Sequence, residues 1–230
     1  MPSSTVEDYL KHVYLAEQRR GDALVPMGEL ARLLKVTPGT VTTMVKTLGR
    51  SRLVTYEPRV GVRLTKRGRT IAIQVLRRHR LIELFLVEIL GLSWSEVHHE
   101  AEVLEHAISE RVLERIDEFL GHPEFDPHGD PIPNAAGEII EQDLTSLAAC
   151  ESGEYEIKRV GDQDPTFLDV AAERGLVPGT LWAIEARDPA ADLITVRRGR
   201  RRPISVGLSA ARKILVQRAP APKRPPSNRA

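Results

Sequence analysis

The sequence predicts an α+β chain in which helices come first and a small β-barrel comes last. Three observations lead there. Apolar residues recur at helical spacing through most of 5–120, a Pro/Gly-rich connection follows at 121–137, and short alternating runs bounded by turn residues fill 154–218. With 230 residues, 41% hydrophobic and 28% charged, the chain is long enough for two or three modest domains, at least one with a proper apolar core. Domain boundaries are expected at 1–72, 73–140 and 141–218, with a disordered tail at 219–230, APAPKRPPSNRA.

Val6, Leu10, Val13 and Tyr14 predict a first helix over 5–20, and Leu30, Leu33 and Leu34 a second over 27–35. A third begins near Thr37, a good N-cap, with Pro38 at the first helical position, where a missing N–H costs nothing; Val41, Met44, Val45 and Leu48 supply its apolar face. Two short helices with a tight junction read as a helix-turn-helix. Two strands, 53–57 and 62–64, around the turn Pro58-Arg59-Val60-Gly61 complete a winged helix.

Charge gives that motif a partner. The formal net charge of +1 is a cancellation: residues 1–80 carry 16 Lys+Arg against 6 Asp+Glu, 81–174 carry 5 against 23, and 175–230 carry 12 against 3. A basic head coinciding with a winged helix points to double-stranded DNA, against the alternative of a small helical packing unit with a solvated basic face. The helix from Thr37 should enter the major groove by its first turns, a stretch that includes Pro38 and Gly39. Thr40 and Thr43 then face base edges, Thr37 and Thr42 phosphates, and Lys46, Arg50, Arg59 and Arg63 the backbone or, from the wing, the minor groove. Without Arg, Asn or Gln in its leading turns, this helix is expected to read methyl groups and DNA shape.

Other classes fall away. No stretch approaches 18 uncharged apolar residues, so no membrane span is expected, and the N-terminus is unlike a signal peptide. Cys150 is the single cysteine, which excludes an intramolecular disulfide and any four-thiolate metal site and suits a cytoplasmic home.

A long helix over 65–90 has a strongly apolar second half, from Leu81 to Leu90, more than one surface helix needs, so its far end should be shared with a second copy of the chain. One or two further helices cover 93–120, capped by Ser93 with Glu96 three residues on. His79 and Glu83, His98 and Glu102, and Asp8 and His12 are each spaced i,i+4, and Glu105 and His106 follow one turn after Glu102. Residues so spaced share a helix face and can close on one ion. A single such pair is ordinarily a solvated ion pair; several in an acidic region favour a metal site.

The winged helix, RRHRLIELFL at 77–86, EVHHEAEVLEHAIS at 96–109 and DPHGDPIP at 126–133 together resemble the diphtheria-toxin-repressor family of metal-dependent regulators, most of all its three-domain manganese-responsive members. The likeness covers about residues 5–218. It implies a homodimer on a pseudo-palindromic operator, with DNA affinity raised by Mn²⁺ or, second, Fe²⁺. It also implies one metal site at Asp8, Glu102, Glu105 and His106 and another at His79, Glu83 and His98, with help from the C-terminal domain. In the two-domain manganese branch, His79 sits with the first group instead. That branch has an acidic ligand where this chain has Lys11, and a cation cannot replace it; His12 is adjacent but about 100° round the helix. Iron-sensing members place Met and Cys where Asp8 and Glu102 stand. Hard carboxylates permit the flexible, higher coordination that suits Mn²⁺.

Strands are expected at 154–160, 180–187, 192–197, 203–207 and 214–218, with a helix at 167–174, and GLVPGT at 175–180 resembles the SH3-like domain of the three-domain members. Asp164 falls where that domain would lend a carboxylate, with Gln163 beside it; a plain polar loop is the alternative for both. His128 and Asp130 read more readily as turn residues than as ligands. Two rival functions remain: a metal-dependent hydrolase using the His/Glu cluster, and a winged-helix regulator indifferent to metal.

Overall fold

The computed structural model describes residues 3–21, 23–162 and 164–220, so Gln163 and the tail beyond Pro220 lie outside the described residues. The chain forms two compact units. One gathers residues up to Leu86 with His99–Glu124 and Pro131–Ile140; the other gathers Val87–His98, Phe125–Asp130 and everything from Glu141. Among the described residues no helix is long and apolar enough to cross a membrane.

The first unit begins with α1 (Ser4–Arg20), α2 (Met27–Leu33) and α3 (Pro38–Arg50), then the hairpin β1 (Val54–Glu57) and β2 (Gly61–Leu64), then α4 (Lys66–Glu88). Thr37 caps α3 as its sequence demands, its hydroxyl accepting the Thr40 N–H at 3.2 Å with Pro38 following. The hairpin pairs Val54 with Leu64, and Val25 adds a single bridge to Val62, with hydrogen bonds of 2.8 and 2.9 Å. The segment at Val25 passes so close that a Cβ on Gly61 would stand 2.6 Å from the Val25 carbonyl. Gly68 is needed for the same reason, since a Cβ there would meet the Leu53 carbonyl at 2.0 Å, and any side chain would push the wing off α4. Leu10, Val13, Leu30, Val41, Val45, Leu48 and Val62 form the core beneath α3. Each side chain of this kind contributes about 1.5–3 kcal/mol of transfer free energy.

The helical run over 93–120 is two helices, α5 (Trp94–Leu104) and α6 (Glu110–Phe119). Glu96 closes the start of α5 on Ser93, accepting its backbone N–H at 3.1 Å and its hydroxyl at 2.6 Å. Ser109 caps α6. Between them, Glu105, His106 and Ala107 form a turn that still bonds back into α5. Of the apolar run Leu81–Leu90, Leu81, Ile82, Leu84 and Leu86 on α4 are buried, whereas Ile89 and Leu90, just past its end, are exposed; Phe119 on α6 is 68% exposed.

The second unit is built on a six-stranded antiparallel sheet of β3 (Thr145–Ser146), β4 (Gly153–Val160), β5 (Leu181–Asp188), β6 (Leu193–Arg197), β7 (Ile204–Gly207) and β8 (Ile214–Arg218). Their order is β3-β8-β4-β5-β6-β7. Register shifts at Ile157/Arg159 and Ile184/Ala186 bend the strands round the core, as bulges do in small barrels. Two helices, α7 (Pro165–Glu173) and α8 (Leu208–Ala211), complete it. Leu147, Ile157, Leu168, Ile194, Val196 and Ile214 fill the interior. The Asp126 carboxylate accepts the N–H groups of His128 and Asp130, each at 2.9 Å, and shapes the 126–130 turn. In that turn Gly129, at φ 85°, lies where a Cβ would be 1.9 Å from the Lys158 carbonyl.

Candidate metal centre

Three elements of the first unit converge on one buried polar cluster. α1 contributes Glu7, Asp8 and Lys11 from one face of its first three turns. α4 contributes Arg78, His79 and Glu83, all buried. The end of α5 contributes Glu102, and the turn after it Glu105 and His106; Glu105 is fully buried.

Two ligand-like triads share Glu105. Asp8, Glu105 and His106 form one, and His79, Glu102 and Glu105 the other; within each, donor atoms lie within 4.8 Å of one another. In the first, His106 Nε2 lies 2.8 Å from Asp8 Oδ1 and 3.3 Å from Glu105 Oε1, while its Nδ1 lies 2.9 Å from Glu7 Oε2. In the second, His79 Nδ1 lies 2.7 Å from Glu105 Oε2 and 3.7 Å from Glu102 Oε1, and its Nε2 is 3.0 Å from Glu83 Oε1. Burial opposes charge on His79, yet the Glu83 and Glu105 carboxylates outweigh it and raise its pKa to about 9. Burial likewise opposes charge on His106, and Glu7 and Asp8 override it in the same direction.

The donor set suits a hard divalent cation. It is carboxylate and imidazole throughout, with no thiolate or thioether, and several members are buried where unneutralised negative charge is costly. Asp8, Glu105 and His106 are brought together as the resemblance implies. Glu102 is placed with His79 rather than with Asp8. His98 sits four residues before Glu102 on α5 and belongs to the second unit.

His12 does not join either triad: its Nδ1 lies 2.8 Å from the Asp8 carbonyl of its own helix, and burial lowers its pKa. Asp164 is the N-cap of α7, its carboxylate accepting the Phe167 N–H at 3.1 Å, which is the polar-loop alternative for this residue.

Sequence reasoning passed over Glu7, Arg78 and the placement of Lys11. Arg78 donates to the Glu105 carbonyl at 3.1 Å and lies 3.4 Å from Glu7 Oε2. Lys11 is 2% exposed, its ammonium 2.8 Å from Glu102 Oε1 and 2.6 Å from Glu105 Oε1. The resemblance marked Lys11 only as a cation at an acidic ligand's position; the signal for its placement was its i,i+3 relation to Asp8, which puts both on one helix face. Glu17 was also missed. Buried near the far end of α1, it accepts the Leu64 N–H of β2 at 2.7 Å and pairs with Arg69 at 2.6 Å.

On the winged helix, Thr37, Pro38, Gly39, Thr40, Thr43, Lys46, Arg50, Arg59 and Arg63 are exposed and Thr42 half-buried. The hydroxyls of Thr42 and Thr43 donate to the Pro38 and Gly39 carbonyls at 2.8 and 3.0 Å, which leaves their methyl groups and oxygen lone pairs for a ligand. Thr37 uses its oxygen as the α3 cap.

A winged helix whose first helix runs into a buried carboxylate–histidine cluster defines a class: DNA-binding proteins that answer to a divalent cation. Comparison with known proteins narrows it. Residues 1–62 match the family model of the iron-dependent repressor N-terminal DNA-binding domain, 65–134 that of the iron-dependent repressor metal-binding and dimerisation domain, and 145–218 the FeoA domain. An uncharacterized HTH-type transcriptional regulator of Methanocaldococcus jannaschii is 42% identical over 51% of this chain and 94% of its own length. The iron-dependent repressor IdeR of Mycobacterium leprae is 38% identical over 56% of this chain, a match spanning 55% of IdeR. The solved structure of a manganese-dependent transcriptional repressor in complex with manganese superposes with a TM-score of 0.84 at 38% identity, covering 93% of this chain and all of that one. The chain belongs to the diphtheria-toxin-repressor family of metal-dependent transcriptional regulators.

Proposed function

We propose that this chain is a cytoplasmic homodimeric regulator of metal-ion homeostasis genes, holding Mn²⁺, or in second place Fe²⁺, to favour its DNA-competent form. The observation that carries this is the Asp8–Glu105–His106 triad, because Asp8 stands on the helix that also supports the wing. Asp8, Glu105 and His106 would hold the ion, and the ion, when bound, supplies a divalent positive charge to a cluster of carboxylates.

The chain's own residues translate that charge into geometry. Asp8 ties the start of α1 to the turn after α5, and Glu17, about 13 Å further along the axis, ties the same helix to Leu64 and Arg69. A change in how firmly α1 is seated is therefore passed to the wing and to the core under α3. A shift from 1:99 to 99:1 in the DNA-competent form requires about 5.5 kcal/mol of differential affinity.

The relatives support regulation over the hydrolase alternative. The test is DNA binding to promoter fragments of metal-transport genes at one salt concentration, with Mn²⁺, Fe²⁺, Zn²⁺ or a chelator. Binding tightened by Mn²⁺ and lost in His106→Ala is the expected result. Binding indifferent to chelator would overturn the reading and favour a metal-independent regulator.

A further inference from the structure

We propose that the arginine-rich turn between β6 and β7 of the barrel is a second DNA contact, one that grips duplex phosphates without reading sequence. It goes beyond the DNA binding given to the winged helix and rests on it.

The turn spans 197–203, Arg-Arg-Gly-Arg-Arg-Arg-Pro, and holds five of the 12 Lys and Arg residues of 175–230. Its frame is fixed. Val196 pairs with Ile204 across the two strands, the Arg201 N–H donates to the Arg198 carbonyl at 3.1 Å, and Gly199 takes φ 55° where the chain reverses. Among the described residues one carboxylate pairs with the turn, that of Glu185, and Arg197 takes it. Arg200, Arg201 and Arg202 are exposed and Arg198 is half-buried, and among the described residues none of the four is in an ion pair. The end of α7 adds to the same surface. Arg174, exposed just past that end, donates to the Ser205 carbonyl of β7 at 3.3 Å, and Arg198 Nη1 would stand 2.9 Å from a Cβ on Gly175.

Like charges packed this closely repel one another, whereas a surface kept soluble needs only scattered charge of both signs. An anion resolves the repulsion, and composition narrows which anion. All five cations are arginines, whose planar guanidinium forks onto phosphate oxygens with two parallel hydrogen bonds. Duplex DNA carries one charge per about 1.7 Å of its axis, a density that three consecutive arginines can meet. Tethering selects DNA over other polyphosphates: the winged helix holds it to the same chain, so the turn meets it at high effective concentration. The acidic stretch 81–174, with 5 Lys+Arg against 23 Asp+Glu, repels a duplex, and the basic turn offsets that repulsion. Phosphate contacts carry no sequence information, so the turn strengthens binding to every duplex alike.

The test is DNA binding by the full-length chain in Mn²⁺, over a series of salt concentrations, to promoter fragments of metal-transport genes and to shuffled duplexes of equal length. Replacing Arg200, Arg201 and Arg202 together by Gln should make log affinity against log salt shallower by about 0.9 for each phosphate released, and both duplexes should lose affinity by the same factor. Replacing the three by Lys should keep the wild-type slope, because the slope counts charge. Arg201→Gln alone, with a third of the effect, serves if the triple variant fails to fold. An unchanged slope in the folded Gln variants, or a loss confined to the promoter fragments, would overturn the proposal. So would an unchanged slope with lost retention on phosphatidylglycerol vesicles, which would make an anionic lipid surface the partner. Absence of DNA binding by wild type in Mn²⁺ would instead remove the winged-helix reading, and this inference with it.

Discussion

The two units bury very different things. The interior of the β-barrel is apolar: Ile157, Ile194, Ile214 and Leu147 are wholly enclosed, and Trp182 satisfies its one N–H on the Thr180 hydroxyl at 3.0 Å. The helical unit has such a core beneath α3, but behind it encloses Glu7, Lys11, Glu17, Arg78, His79, Glu83 and Glu105. An apolar interior maximises stability for its volume, whereas buried charge is often no better than a hydrophobic replacement and is severely destabilising once a partner is lost. The difference teaches where this molecule is optimised to persist and where it is optimised to respond.

The largest effect expected from that contrast lies in the barrel. Ile194→Ala should lower stability by about 2–5 kcal/mol through lost transfer energy and a cavity, with Mn²⁺ affinity unchanged. Denaturant unfolding of the variant alongside metal titration checks both halves. The converse substitution is His106→Ala, on a side chain that is 18% exposed. Mn²⁺ affinity should fall by more than about 100-fold, beyond the range usual for outer partners of a metal site, while the metal-free unfolding midpoint falls less than in Ile194→Ala, through the lost pairs with Glu7 and Asp8.

A pH series sharpens the same comparison. His79 is held at a pKa of about 9, above the ordinary histidine value of 6.5, so its ion pairs with Glu83 and Glu105 stabilise the metal-free fold fully below about pH 6.5. That contribution is lost as pH rises through about 9, on the order of 3 kcal/mol. Unfolding free energies from urea titrations in chelator at pH 6.5 and 9.5 should differ by about this amount, and His79→Gln should abolish most of the difference. The smallest effect is at the other end of α1. Glu17→Gln keeps an acceptor for the Leu64 N–H but loses the Arg69 ion pair, costing about 1 kcal/mol. It should weaken DNA binding while sparing Mn²⁺ affinity, and equal losses in both would contradict the role given to α1 as the link between them.

Much of the architecture was legible because it is local. The Thr37-Pro38 cap, the helical stripe of Val41, Val45 and Leu48, and the turn at Pro58 each carry their structure in neighbouring residues. The barrel strands were placed within about a residue by their alternation. β3 and α8, two and four residues long, hold too few positions for any period to register. Nor could period reveal Val25, whose single bridge to Val62 depends on a chain returning from far away.

The candidate metal centre divides along the same line. Sequence by itself determined the donor chemistry, hard oxygen and imidazole with Cys150 the lone thiol, and it marked Asp8, Glu105 and His106 through spacing and resemblance. Only the tertiary structure decided how they are partitioned. Helical spacing says which residues share a face, but says nothing of which faces meet; Glu102 joined His79 because α4 and the end of α5 are packed there, and Lys11 came between Glu102 and Glu105 because α1 crosses both. A lysine beside acidic residues in a sequence is a solvated charge until packing removes the water. Buried at 2.6 Å from Glu105, it becomes a fixed cation, because electrostatic consequence depends on distance and surroundings that only the folded chain supplies.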